Sequence, residues 1–146
     1  MATLDPVEFV ARHGVVLASG KGRVPNLAEA VAGAPIRGGW WGHPKGREIF
    51  RALQAVGDSP DVLCFRLVER KITFVHRRLW PALVRLAVQL GKERLTAIRQ
   101  EHTKTGAHRN VLTPFPKWVP AEIKAAAGKL SEADAREQLG PWASGG

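Results

Sequence analysis

The fold is decided by residues 38–80, which read GGWWGHPKGREIFRALQAVGDSPDVLCFRLVERKITFVHRRLW. The first nine of these residues contain four glycines and two tryptophans, which predicts an irregular loop. Adjacent residues of a loop do not face the same way. We therefore expect one of Trp40 and Trp41 to anchor in the core and the other to pack on a neighbouring element or lie partly exposed. An exposed indole stacks on a nucleic-acid base or on a partner's side chain; burial of both rings is the structural alternative.

A helix follows this loop, and a hairpin follows the helix. Beyond Pro44 the apolar residues recur with helical spacing and predict one buried stripe, formed by Ile49, Phe50, Leu53 and Val56. Residues 57–60 read GDSP and end the helix. The β-branched and aromatic residues between positions 62 and 75 then predict two strands joined by a charged turn. Their alternation predicts one buried face and one solvent-exposed face.

The residues before this stretch predict a helix, a short strand and a second helix. Asp5 is the expected N-cap of the first helix, with Pro6 at its first position. An apolar run at residues 15–19 predicts the strand. Asn26 is the expected N-cap of the second helix, which ends near Gly33. The predicted order is helix, strand, helix, helix, hairpin, an α+β fold of the winged-helix-like type.

The residues after position 80 predict additional C-terminal helices. The expected segments are helices over 80–91 and 92–102, an irregular stretch over 103–120, and helices over 121–129 and 131–139. We expect one domain over residues 1–140, with a core in residues 5–100 and a C-terminal extension in residues 101–140. Residues 141–146 are expected to form a disordered tail.

Composition indicates a globular protein with a strongly basic surface. Hydrophobic residues make up 45% of the chain and charged residues 24%, which argues against wholesale disorder. The net charge of +9 favours polyanionic partners, nucleic acid first. Cys64 is the only cysteine, so no intramolecular disulfide forms. The chain shows neither a secretory signal pattern nor an apolar run of membrane-spanning length, so we expect a cytoplasmic protein that does not bind membranes.

Positive charge is clustered on the third helix and around the hairpin. Six Lys or Arg residues but one Glu occur between Arg66 and Arg85. Arginines on a helix face contact base edges, and lysines and arginines neutralise phosphates, although a solvated helix face has the same composition. The predicted nucleic-acid-binding residues are Lys45, Arg47, Arg51, Arg70, Lys71, Arg77 and Arg78, with Trp40 and Trp41 as candidate stacking residues.

Residues 13–81 resemble the winged-helix modules of a bacterial DNA glycosylase family that repairs alkylated and crosslinked DNA. The resemblance rests on three features: Gly39-Trp40-Trp41 before the third helix, the apolar stripe of that helix, and a hairpin ending in Leu79-Trp80-Pro81. It implies that the third helix enters a DNA groove while the hairpin touches the backbone. The family's catalytic pair, a Gln with Gln or Asp two residues on, does not occur in this sequence, so glycosylase activity is not implied. The chain is also similar to short uncharacterised bacterial proteins with a WWGHPKG loop.

The expected partner is DNA, with RNA as an alternative nucleic acid and the oligomeric state open. A protein-interaction module is the second hypothesis, because an exposed tryptophan pair is a suitable anchor for a protein partner. An enzyme that uses Glu101, His102 and His108 is the third. No histidine spacing, including that of His43 and His76, matches a zinc site, so we expect no metal and no cofactor.

Overall fold

The computed structural model of the protein describes residues 4–20, 24–66, 72–90, 96–102, 108–114 and 119–144. The elements are α1 (Pro6–His13), β1 (Val15–Leu17), α2 (Leu27–Ala32), α3 (Gly46–Gly57), β2 (Val62–Arg66), β3 (Ile72–His76), α4 (Trp80–Leu90), β4 (Thr96–His102), β5 (His108–Pro114), α5 (Ala121–Gly128), α6 (Glu132–Leu139) and α7 (Pro141–Ser144). Single 3₁₀ turns occur at Trp40–Gly42 and Arg77–Leu79. The protein is α+β, and its first six elements follow the predicted order.

Three helices begin where the sequence supplies a capping side chain. Asp5 accepts hydrogen bonds from the second and third amides of α1 at 3.0 and 3.1 Å. Asn26 accepts one from the third amide of α2 at 2.9 Å, and Ser131 accepts one from the third amide of α6 at 3.0 Å. Each bond satisfies a backbone donor that has no partner within the helix. Within the described ranges, no helix has both the length and the apolar character needed to cross a membrane.

The strands form one antiparallel sheet in the order β1-β3-β2-β4-β5. Strand β3 lies between β1 and β2, where Phe74 is paired with Val16 on one side and with Cys64 on the other. The predicted hairpin is therefore formed by β2 and β3, and its turn lies outside the described residues.

Both faces of the sheet are covered at β1 and β3. Val16 and Phe74 pack in a cluster with buried residues of α1, α2 and α3. Val15 and Val75 pack on the opposite side with α4 and α6. Thr73, between Ile72 and Phe74, is also buried. The expectation of a solvent-exposed hairpin face is wrong, because the C-terminal helices cover it.

The C-terminal half contains a second hairpin that the sequence pattern does not indicate. Residues 96–102, expected to be helical, form β4, and residues 108–114, expected to be irregular, form β5. Strand β4 adds to the edge of β2, with Phe65 opposite Ala97, and so satisfies backbone groups that an edge strand leaves unpaired. The predicted disordered tail is also wrong at Pro141–Ser144, where Ala143 packs against the α4–α6 cluster; residues 145–146 lie outside the described part.

Backbone hydrogen bonds at Gly14 connect the end of α1 to the end of β3. Gly14 has φ +83°, donates a hydrogen bond to the Val10 carbonyl at 2.7 Å and accepts one from the His76 amide at 2.8 Å. The guanidinium of Arg78 adds a second connection to α1 by donating to the Ala11 carbonyl from Nε at 3.3 Å and from Nη2 at 3.1 Å. A cation at this position also complements the negative end of the α1 dipole.

Candidate functional site

Helix α3 turns most of its apolar residues inward and leaves Arg47, Glu48 and Arg51 in solvent. Ile49 and Val56 are fully buried, and Ala52 is buried beside them. Arg47 and Arg51, one helical turn apart, are exposed on the other side. Residues four positions apart lie on the same face of a helix. Burial of Ile49 and Val56 therefore leaves both arginines on the opposite side.

Phe50 lies outside the core, contrary to the prediction for the buried stripe. Its residue surface is 47% exposed, and its ring stacks on that of Trp40, with ring centroids 6.3 Å apart and an interplanar angle of 27°. Phe50 follows Ile49 by about 100° around the helix, which brings it to the edge of the apolar stripe. At that edge Trp40, rather than the sheet, is its neighbour.

The two tryptophans of the loop are both outside the core. Trp40 is half-buried, and Trp41 is 77% exposed. Their rings meet edge to face at 6.4 Å with an interplanar angle of 73°. The expectation that one ring anchors in the core is wrong, as is the alternative that both are buried, because Trp40 packs on Phe50 instead. We call Trp40, Trp41 and Phe50 the aromatic cluster.

Two glycines allow close contacts within the tryptophan loop, residues 38–45, and between this loop and α3. A Cβ at Gly39 would collide with the indole ring of Trp41, so the ring lies directly over that backbone. A Cβ at Gly46 would lie 2.9 Å from the carbonyl oxygen of Trp41 and 3.2 Å from that of Trp40. The first turn of α3 therefore contacts the loop backbone at both tryptophans.

Three exposed cations lie at the start of α3 and along it: Lys45, Arg47 and Arg51, which we call the α3 cations. No ion pair among the described residues involves them. Lys45 immediately precedes α3, and its amide donates to Nδ1 of His43 at 3.1 Å. These three charges adjoin the aromatic cluster along the chain, because Phe50 lies between Arg47 and Arg51 in the sequence of the helix. Positive charge and exposed aromatic surface thus occur together on the loop and α3.

The cations predicted near the hairpin occupy different surroundings. Arg77 lies 3.6 Å from Asp61, and its guanidinium is 5.9 Å from the centroid of the Trp80 ring. Arg78 holds the end of α1 as described above. Both side chains are exposed but already have intramolecular partners. Arg70 and Lys71 lie outside the described residues.

A pocket of about 190 Å³ adjoins the aromatic cluster. It is lined by Ser19, Gly20, Asn26, Ala28, Glu29, Ile36, Gly38 and Trp40. The Glu29 carboxylate accepts a hydrogen bond from the Ile36 amide at 3.3 Å, which fastens the segment after α2 to that helix. Trp40 belongs to both the pocket lining and the aromatic cluster, so the pocket lies next to the aromatic cluster.

His76 begins the 3₁₀ turn that carries Arg77 and Arg78. Its Nδ1 accepts a hydrogen bond from the Arg78 amide at 3.2 Å. Burial lowers the pKa of His76, and the Arg78 charge lowers it further, while Asp61 acts in the opposite direction. The neutral ring is the form that accepts this bond, so protonation opposes the local structure.

Stability is expected to fall as the pH drops below about 6.5, the ordinary pKa of histidine, partly because of His76. The unfolded chain takes up this proton at a higher pH than the native protein, so stability is lost as pH decreases toward the lowered native pKa. His76→Asn replaces the accepting ring nitrogen with a side-chain carbonyl oxygen, which can accept the same bond but does not titrate. Urea unfolding at several pH values between 8 and 5 should show a shallower decline for the variant, whereas parallel declines would contradict this role.

The described residues offer few groups for a reactive thiol, a histidine-based catalytic site or a metal site. Burial raises the pKa of Cys64 to about 12, so its thiol stays protonated at neutral pH. The backbone register of β4 and β5 sets His102 opposite His108 and Glu101 opposite Arg109; the side chains of these residues lie outside what is described. In the described part of the chain, no three His, Cys, Asp or Glu residues form a group that would hold a metal ion.

Comparison with known proteins gives no relative from which a function is transferred. No family model matches this chain, and neither a curated protein nor a solved structure matches it.

Proposed function

We propose that this protein binds nucleic acid, DNA in the first place, through the exposed face of α3 and the tryptophan loop. The observation that carries the proposal is the combination of three exposed cations, which form no ion pair with the residues that the structure describes, and an exposed aromatic cluster on the same loop and helix. Phosphates attract the cations, and bases or sugars contact the aromatic rings. The net charge of +9 adds a long-range attraction for any polyanion.

The proposed arrangement is winged-helix-like, with α3 as the contacting helix. The order of α1, β1, α2, α3, β2 and β3 supports it, as does the location of the cations on the third helix. In this arrangement Arg77 and Arg78 stabilise the fold around the hairpin and supply positive potential near it. The principal contacts are made by the α3 cations.

A protein partner is the second candidate, because exposed aromatic side chains favour it. Trp41 and Phe50 leave large apolar surfaces in water, and tryptophan is enriched among residues that dominate protein interfaces. Such a complex would depend weakly on salt. The α3 cations form no ion pair with other described residues, which favours nucleic acid over this alternative, since burying three cations without a counter-charge against a neutral protein surface is costly.

Chemical-shift mapping tests the proposed surface. Titrating isotope-labelled protein with mixed-sequence DNA, single-stranded and duplex, should shift the backbone amides of residues 38–54 and the indole N–H signals of Trp40 and Trp41. Residues of α5 and α6 serve as the internal control, because those helices pack with α4. The proposal fails if no signals move, or if the changes centre on the C-terminal helices.

A further inference from the structure

We infer that the nucleic acid bound at this surface is an unpaired strand, one of whose bases stacks on the exposed indole of Trp41. The inference rests on the proposed function and adds the class of nucleic acid. Its starting point is the exposure of Trp41, which leaves 77% of a large aromatic residue in water. Burying such a side chain is strongly favourable, so the loop keeps the ring exposed against the hydrophobic effect.

The Trp41 indole contacts the loop backbone and the neighbouring tryptophan. Its ring lies over Gly39, where a Cβ would collide with it, and meets the Trp40 ring edge to face. Trp40 is in turn held by Phe50 on α3. A ring positioned in this way gives a base a ready stacking surface with little ordering required on binding.

Base faces are accessible only in an unpaired strand. In a duplex each base is covered above and below by its neighbours, so a protein meets base edges in the grooves and the phosphate backbone. An indole ring beside the first turn of α3 gains little from such edges. Every unpaired base offers an aromatic face, and proteins that hold single strands combine aromatic platforms with positive charge.

The α3 cations supply the second part of such a site. Lys45 ends the tryptophan loop, four residues after Trp41, and Arg47 and Arg51 lie one turn apart on α3, on either side of Phe50 in the chain. With the bases on the aromatic cluster, the phosphates of the same strand are directed toward these charges. Because stacking and phosphate contacts tolerate any base, we expect weak sequence preference.

The inference is tested by the affinity of wild-type protein and three variants for matched oligonucleotides of about 12 nucleotides. The probes are fluorescently labelled single-stranded DNA, single-stranded RNA and duplex DNA, followed by anisotropy. Trp41→Ala removes the platform, Trp41→Phe keeps an aromatic ring, and Gly39→Ala displaces the indole without removing it. Gly39 has φ −74°, so alanine is compatible with its backbone.

We expect tighter binding of a single strand, DNA or RNA, than of duplex. Trp41→Ala should weaken binding of the single strand about tenfold and that of duplex less than about twofold. Gly39→Ala should act in the same direction, and Trp41→Phe should retain most of the affinity. Because Trp41 is exposed, these changes should leave the unfolding transition nearly unchanged.

Duplex binding that equals or exceeds single-strand binding, with Trp41→Ala affecting neither, overturns the inference and leaves the proposed function standing. Absence of binding to all three probes overturns the proposed function as well. Retention of a protein partner that requires Trp41, without nucleic-acid binding, overturns both in favour of the protein-interaction hypothesis.

Discussion

Replacing Arg47 and Arg51 together with alanine is expected to weaken binding of a single strand about 25-fold at about 0.1 M salt. Each neutralised phosphate contributes about 0.7 to the slope of log affinity against log salt for a single strand. Two lost contacts therefore reduce the slope by about 1.4, so two proteins that bind equally at about 1 M salt differ about 25-fold at about 0.1 M. Both side chains are exposed and make no ion pair among the described residues, so the fold should be preserved.

A matched control removes the same charge from another helix. Lys124 and Lys129 are exposed at α5, a helix that packs against α4 rather than beside the tryptophan loop. Replacing both with alanine lowers the net charge by the same amount and should change affinity only slightly, through the long-range field. Equal losses in the two double variants would show that net charge, and not the α3 surface, governs binding.

Gly14→Ala is expected to lower the free energy of unfolding by about 3 kcal/mol. Gly14 has φ +83° and ψ −50°, a conformation that L-residues rarely adopt. The added Cβ would lie 2.6 Å from Cδ1 of Leu79, which is buried, and 2.9 Å from Nη2 of Arg78. Relieving these contacts moves a core side chain and the guanidinium that holds the end of α1. Urea or thermal unfolding measures the loss.

Gly33→Ala separates backbone strain from the close contacts at Gly14. Gly33 ends α2 with φ +75° and ψ 12°, but a Cβ there meets nothing within 4 Å. Its replacement should therefore cost only the penalty of the left-handed conformation, about 1 kcal/mol. Similar destabilisation by the two substitutions would contradict the importance of the Leu79 and Arg78 contacts.

The N-terminal elements were predictable because their signals are local. The caps at Asp5 and Asn26 are determined by residues within one helical turn, and both form the expected hydrogen bonds. The same holds for the basic face of α3, since helical periodicity alone separates Ile49 and Val56 from Arg47 and Arg51.

The second hairpin was not predictable because its formation depends on distant residues. Leu95 and Ile98 have the spacing of a helix face, and a short apolar pattern does not distinguish a helix from a strand. Residues 96–102 become β4 because the edge of β2 is open to pairing. The burial of both sheet faces likewise depends on α4 and α6, which follow the hairpin in the chain.

Within the candidate site, the contacts that could not be predicted are also those between residues distant in the sequence. Phe50 lies at the edge of the apolar stripe, and the ring that it contacts, Trp40, is ten residues earlier in an irregular loop. The role of Arg78 follows from a hydrogen bond to Ala11, 67 residues away in the sequence. Charge clustering indicated both α3 and the hairpin region. Only the three-dimensional arrangement distinguishes the α3 cations, which have no ion-pair partner in the described part of the chain, from Arg77 and Arg78.

The most direct test of the account is the affinity of the wild-type protein for single-stranded DNA, measured by anisotropy over a range of salt concentrations. Contacts of Lys45, Arg47 and Arg51 with three phosphates predict that log affinity falls against log salt with a slope of about −2. An affinity that does not change with salt, or the absence of binding at low salt, would contradict the assignment of the α3 surface as a nucleic-acid interface.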